Sequence, residues 1–519
     1  MMLLRFSRAL FFPALLLISL TASAELRLPK LWSDHAVIQR DRPIHVWGWA
    51  DVGEHVTATL RRANGGGDET ASAITDSLGH WSLYLAPRPA GGGPYTLTVA
   101  ASNTVMVNDL LMGDVWLASG QSNMEMPLLG FPGSAVLKNG AEEIKAANHP
   151  EIRLLHEPKR FSYFPLQDQD AIWQICTPET AASFSSVAYF FAREIQHDQK
   201  VPIGVVEADW GGTPAESWTS LDTLGSDAAL MPVFAARAAE MDEQADVEAI
   251  KARYAREDAA AKAAGRTPEQ HPWQPPVEPW AASSLYNGMI APVTPLAIRG
   301  VIWYQGEANT GLARAPLYNR LFSSMISDWR RQFAQGDFPF LFAQISSYEA
   351  SPEEDWGMVR DAQRRTLSLT NTGMAVTIDV GDRNNVHPAD KQTVGHRLAL
   401  AAQALSYGED VHHSGPLFRQ ATTEGAGMRV YFTGADGKLA VRGGTLQGFE
   451  LAGSDRHFVP ATATIDTGGA TVSVTSPQVP APLYVRYAWP NAPDATLMDS
   501  AGLPTPTFTS EAVPALPAR

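Results

Sequence analysis

Cysteine is nearly absent: Cys176 stands alone in 519 residues. No intrachain disulfide can form, so stability has to come from buried apolar surface. Within Ile175-Cys176-Thr177 the lone thiol reads as a small structural hydrophobe. Beyond the N-terminus no apolar run reaches the roughly 18 residues of a membrane-spanning helix. Positive charge is also in deficit. Forty Lys and Arg face 55 Asp and Glu, and the net charge of −15 argues against nucleic acid or an anionic membrane as partner. No H-E-x-x-H motif occurs, and His412-His413 lacks further ligands at metal spacing, so no catalytic metal is expected. Internal repeats and low-complexity tracts are missing too.

What is present describes a globular chain, with 45% hydrophobic and 18% charged residues. Its length suits about two to four domains. The N-terminus carries an export signature. Arg5 and Arg8 precede the apolar run Ala9 to Leu20, and Ala22-Ser23-Ala24 is a small-residue cleavage site. Residues 1–24 are therefore expected to be a signal peptide, with a periplasmic or secreted protein beginning at Glu25.

Residues 25–106 read as an N-terminal β-sandwich. Ile44 to Trp49, Val56 to Leu60, Trp81 to Leu85 and Tyr95 to Val99 alternate in polarity between short turns. Trp47, Trp49 and Trp81 are expected to be core aromatics. From 107 to 410 buried strands, starting near 114, 204, 300, 340 and 374, alternate with helical patterns such as Ser185 to Gln199 and Asp390 to Leu405. That order predicts a parallel α/β sheet covered on both faces. Residues 222–282 break the rhythm with an Ala/Glu/Lys/Arg-rich stretch and a proline-studded loop, read as a helical insertion; Trp273 and Trp280 follow it as residues able to reach over a site. Residues 411–519 return to β structure, either a second sandwich or the other half of the first.

The chemistry gathers at strand ends. Gly120-Gln121-Ser122-Asn123-Met124-Glu125 follows the apolar run 114–119, Trp210-Gly211-Gly212-Thr213 follows 204–209, and Gln305-Gly306-Glu307-Ala308-Asn309 follows 300–304. Open α/β sheets place active sites at the carboxyl ends of strands. A serine needs a base, and His387 in Asn385-Val386-His387-Pro388 is the candidate. The oxyanion of ester attack needs preorganised donors. The Ser122 and Gly212 N–H groups are two, and the side-chain amide of Gln305 or Asn309 is expected as the third. No G-x-S-x-G elbow occurs, which weighs against an α/β-hydrolase.

These motifs together resemble the sialate O-acetylesterase family, a carbohydrate-esterase branch of the SGNH (GDSL-like) hydrolases. Lys391-Gln392, Val394 to Leu398, Leu31 to Arg40 and Val485 to Trp489 add to the likeness. The resemblance implies a flavodoxin-like three-layer fold flanked by β segments, and a cofactor-independent serine esterase that deacetylates carbohydrate through an acetyl-serine. It implies Ser122 as nucleophile and His387 as base. Many SGNH enzymes carry an Asp two or three residues before the histidine, where this chain has Asn385 and Asn384. Asp382 and Glu307 are then the candidates for orienting the imidazole, alongside a backbone carbonyl or a bare Ser–His dyad. Two substrate classes fit, acetylated hemicellulose (xylan or xyloglucan) and O-acetylated sialic acid; the latter would draw on Arg360, Arg364 or Arg383 for its carboxylate. The competing reading is a carbohydrate-binding protein with a decayed hydrolase core.

Overall fold

The computed structural model describes residues 25–63, 65, 67–133, 135–235, 247–268, 271, 278–434 and 439–512. The expected signal peptide and Trp273 lie outside them.

At the centre is a sheet ordered Thr372–Ala375, Phe340–Ala343, Gly300–Tyr304, Thr104–Gly120, Ile203–Asp209, His149–His156, Gln174–Cys176. All neighbours are parallel except the last pair. Strands preceding residue 210 lie to one side of Thr104–Gly120 and strands following residue 299 to the other. The central strand is thus the topological switch point, where such sheets open a crevice. The His149–His156 strand was not foreseen, and the expected strand 374–379 is shorter. Ala375 is its last residue because the neighbouring strand stops at Ala343; the chain beyond is held by Arg397, which donates to the Val376 carbonyl and the Asp379 carboxylate.

Period-two alternation loads both faces of the sheet with apolar side chains. Val115, Leu117, Val301 and Trp303 point into one core, shared with the helix Tyr318–Phe333. Trp116, Ala118, Ile302 and Tyr304 point into the other, beneath the helices Ser186–Gln199 and Lys391–Tyr407. Ser185 and Asp390 cap those two helices by accepting from Ala188 and Thr393 N–H. The helices cross closely because Gly395 has no side chain; a Cβ there would sit 2.6 Å from the Phe190 Cβ.

Thr104–Gly120 is a single 17-residue strand. Its first half pairs antiparallel with Tyr95–Ala100 of the N-terminal β layer and its second half enters the parallel sheet. The boundary expected at 106 falls inside it. The segment expected as a helical insertion contains the helix Val247–Ala263. At the C-terminus two four-stranded antiparallel sheets and a two-stranded ribbon pair among themselves, with no bond to an N-terminal strand among the described residues. Arg360 ties them to the parallel-sheet layer. This fully buried side chain on the helix Trp356–Thr366 donates to the carbonyls of Ala488, Trp489, Pro490 and Asn491 and to Thr507 Oγ1.

Candidate active site

Gly120 ends the central strand at φ +142°, where a Cβ would stand 2.2 Å from the Tyr304 carbonyl oxygen. Only glycine fits, and the chain swings into one helical turn, Ser122–Glu125. Ser122 opens onto a cavity of about 1080 Å³. Gly212, Glu307 and His387 line the same cavity, so residues from four strand ends meet there. Gly211 N–H is already taken by Glu125 Oε2. The N–H of Gly212 and that of Ser122, first in its helix, donate to no protein group among the described residues.

The two amides expected as a third donor, Gln305 and Asn309, are buried and do not line the cavity. Gln305 Nε2 donates to the Thr213 carbonyl and to Asn309 Oδ1, while its Oε1 accepts from Tyr318. Asn309 Oδ1 also accepts from Ala215 N–H, and its Nδ2 donates to Glu216. Both amides brace the turn that presents Gly212. Beside Ser122 an amide at the cavity wall is that of Gln121, whose Oε1 is fixed by the N–H groups of Gly306 and Ala308; Asn384 and Asn385 line the wall by His387.

His387 packs the edge of its ring against Phe131, with centroids 5.0 Å apart. Burial, with a contribution from the Lys391 cation, pushes its pKa down to about 4. Neither carboxylate expected as its orienter bonds it. Asp382 is exposed and caps its own turn by accepting from Asn384 N–H, and Glu307 Oε1 accepts from Asn123 at 2.6 Å. Position is instead given to the loop's backbone. His387 N–H donates to Asn385 Oδ1, and the preceding carbonyl, of Val386, accepts from Asn123 Nδ2 at 3.0 Å. Lys391 Nζ donates to Asn123 Oδ1. Burial drops the Lys391 pKa to about 7 and raises that of Glu307 from its ordinary value. Asn123 and Lys391 were not singled out from sequence as parts of one network. Their places beside Ser122 and at the start of the helix after His387 were the available signal.

The walls are aromatic and mildly acidic. Trp210, Trp280, Tyr348 and Trp356 face the cavity, which settles Trp280 as a lining residue. Its Lys and Arg residues, Lys159 and Arg314, are ion-paired with Glu125 and Glu216 and lie over Trp210 and Trp280. The arginines considered for a sialate carboxylate are elsewhere: Arg360 is inside the protein, Arg364 pairs with Asp361, and Arg383 pairs with Glu349 and Asp494. Among the described residues no group of His, Cys, Asp and Glu side chains has metal-binding geometry. No described helix is long and apolar enough to cross a membrane.

Comparison with known proteins gives the family. Residues 261–404 match the family model described as carbohydrate esterase, sialic acid-specific acetylesterase. Sialate O-acetylesterase of Pongo abelii is 30% identical over 89% of this chain and 88% of its own length. That of Mus musculus is 29% identical over 95% and 96%. The chain belongs to the sialate O-acetylesterase family. A crystal structure of a carbohydrate acetylesterase from Xanthomonas citri superposes with a TM-score of 0.79 at 35% identity, covering 94% of this chain and all of that one. This family member is a carboxylic ester hydrolase, and the reading as a decayed binding protein finds no support.

Proposed function

We propose that this O-acetylesterase family member deacetylates neutral glycans, with acetylated hemicelluloses such as xyloglucan or xylan as the substrate class in preference to sialic acid. The observation that carries the reading is the cavity itself: it joins Ser122 to His387, its walls are aromatic, and its Lys and Arg residues are already ion-paired with carboxylates. A sialate carboxylate would have to be desolvated beside Glu125 and Glu354, and would have to compete with carboxylates that already pair the described lining cations, Lys159 and Arg314. A neutral sugar meets ring faces that match its C–H surfaces.

In this mechanism His387 takes the Ser122 hydroxyl proton and Oγ attacks the acetyl carbonyl. The Ser122 and Gly212 N–H groups, with the Gln121 amide, receive the developing oxyanion; each such donor is worth about 3 kcal/mol. The sugar oxygen leaves with the proton from the imidazolium, and water, deprotonated by His387, then releases acetate from the acetyl-serine. Orientation of the imidazole comes from Asn123 and Asn385 through the loop backbone, which makes the pair a dyad. Residues 107–410 carry this chemistry, joined without a break through Thr104–Gly120 to the β flank 25–106 and followed by the β flank 411–519, and residues 1–24 direct export to the periplasm or beyond. The test is acetate release from acetylated xylan, acetylated xyloglucan and O-acetylated sialic acid side by side, with p-nitrophenyl acetate turnover by Ser122→Ala and His387→Ala. Preferred release from sialic acid overturns the substrate class, and an unchanged rate in either variant removes that residue from its role.

A further inference from the structure

The N-terminal layer contains a two-stranded ribbon whose two faces differ in an unusual way. Ile44–Trp49 pairs with His80–Leu85 in the register His45↔Tyr84, Trp47↔Ser82, Trp49↔His80. The inner face (Ile44, Val46, Trp81, Leu83, Leu85) is buried, as period two requires. The outer face of such a ribbon is ordinarily polar and charged. Here it carries Trp47, Trp49, Tyr84, two histidines and a serine, with no aliphatic and no charged carboxylate or ammonium. Trp47 and Trp49, expected in the core, are half-buried and line a groove of about 300 Å³. His45 is stacked between Trp47 and Tyr84, at 4.8 and 4.7 Å, and bonded to Ser82 Oγ and the Pro295 carbonyl. Burial lowers its pKa, so the stack is uncharged at neutral pH.

The opposite wall of this groove is formed in part by Leu166 and Gln167, and the same segment begins at Lys159 in the catalytic cavity. Between them Phe161, Tyr163 and Phe164 are exposed, the last two by 66% and 76%. The strap that carries them is pinned: Ser162 N–H donates to the Ser284 carbonyl, Leu166 N–H to that of Asn287, and Asn287 Nδ2 to that of Ser162. Solvent-facing aromatics on a fixed backbone mark a contact surface. Residues 159–167 are eight steps of chain and span at most about 28 Å, so the strap that bears these rings links the wall of the catalytic cavity to the wall of the groove.

We propose that the strap 159–167 and the outer face of the ribbon form a glycan-binding track that holds the part of a neutral polysaccharide chain lying outside the catalytic cavity. Rings present flat apolar faces to sugar C–H groups, and His80, Ser82 and Gln167 offer hydrogen bonds to hydroxyls at the rim. The ribbon's own outer side chains carry no carboxylate or ammonium, and the Arg27 guanidinium beside them is stacked on the Trp49 ring at 3.9 Å. Such a face suits an uncharged polymer, and the strap's continuity with the cavity wall favours the enzyme's own substrate over a protein partner. The inference rests on the neutral-glycan reading above.

Tyr84→Ala and Phe164→Ala change exposed side chains outside the catalytic cavity, and their double variant is the primary reagent. Turnover of p-nitrophenyl acetate is expected to stay within about twofold of wild type, while KM for acetylated xyloglucan or xylan polymer rises about tenfold at constant kcat. Affinity gels with the full chain carrying Ser122→Ala, run on the deacetylated polymers, should show retardation that the double variant loses. Equal polymer KM in wild type and double variant, or gels without retardation, overturn the track. If wild type instead prefers sialic acid, the substrate reading fails alone, because the gels report on the track without any acetate release.

Discussion

Asn123 Nδ2 donates to Glu307 Oε1 at 2.6 Å from a position with no solvent exposure, directly after the serine. The same amide holds Lys391 and the Val386 carbonyl, so one side chain joins the serine turn, the 307 turn and the histidine loop. Asn123→Ala strands a buried ammonium, a carboxylate and a carbonyl together. The expected loss is about 3 kcal/mol of unfolding free energy, read by urea denaturation, with kcat on p-nitrophenyl acetate falling about tenfold or more. Asn123→Asp, which sets a carboxylate against Glu307, is expected to be worse than Asn123→Ala.

The acid limb of activity follows from His387. Burial, then Lys391, holds its pKa at about 4, so the imidazole is neutral and able to accept a proton at all pH above that. kcat/KM is expected to rise through about pH 4 and to show no further gain near pH 6.5. Removing the cation by Lys391→Met raises the histidine pKa, and the limb moves to higher pH. A limb that stays in place in this variant shows that Lys391 has no electrostatic part in setting it.

Arg360 gives a stability prediction remote from the chemistry. Its burial pushes the guanidinium pKa down to about 9, and its donors satisfy carbonyls of the 488–491 segment. Arg360→Ala leaves several buried acceptors unpaired and is expected to cost about 3 kcal/mol. Arg360→Lys recovers little, since a single ammonium cannot reach the span that the planar fork covers. Thermal unfolding of the full chain checks both.

Cys176 is fully buried, and burial raises its thiol pKa to about 12. Thiolate is the reactive form. Titration with a disulfide reagent at pH 8 is expected to find no reactive thiol in the native protein and one after denaturation. Activity should be indifferent to the reagent throughout.

Much of the site was legible from residue pattern. The strand-to-glycine transitions at 120, 209 and 304 announce the cavity, and Ser185 and Asp390 mark helix starts that the structure places within one residue. Side-chain direction was what the sequence withheld. Nothing in Gln305 or Asn309 says whether an amide turns toward a cavity or braces the neighbouring turn, and burial decided for the turn. The alternation Ile44, Val46 against His45, Trp47 was visible, yet tryptophan's usual burial masked which face it served. The continuity of Thr104–Gly120 was hidden because Asn108, Asp109 and Gly113 interrupt its apolar pattern.

That unbroken strand bears on how the chain has been inherited. A cut anywhere along it would part the ladder that fixes the serine as well as the layer in front, so the front β layer is no exchangeable cassette. Any exchange of the front layer would have to carry the whole strand, and with it the turn that holds the serine, as one piece.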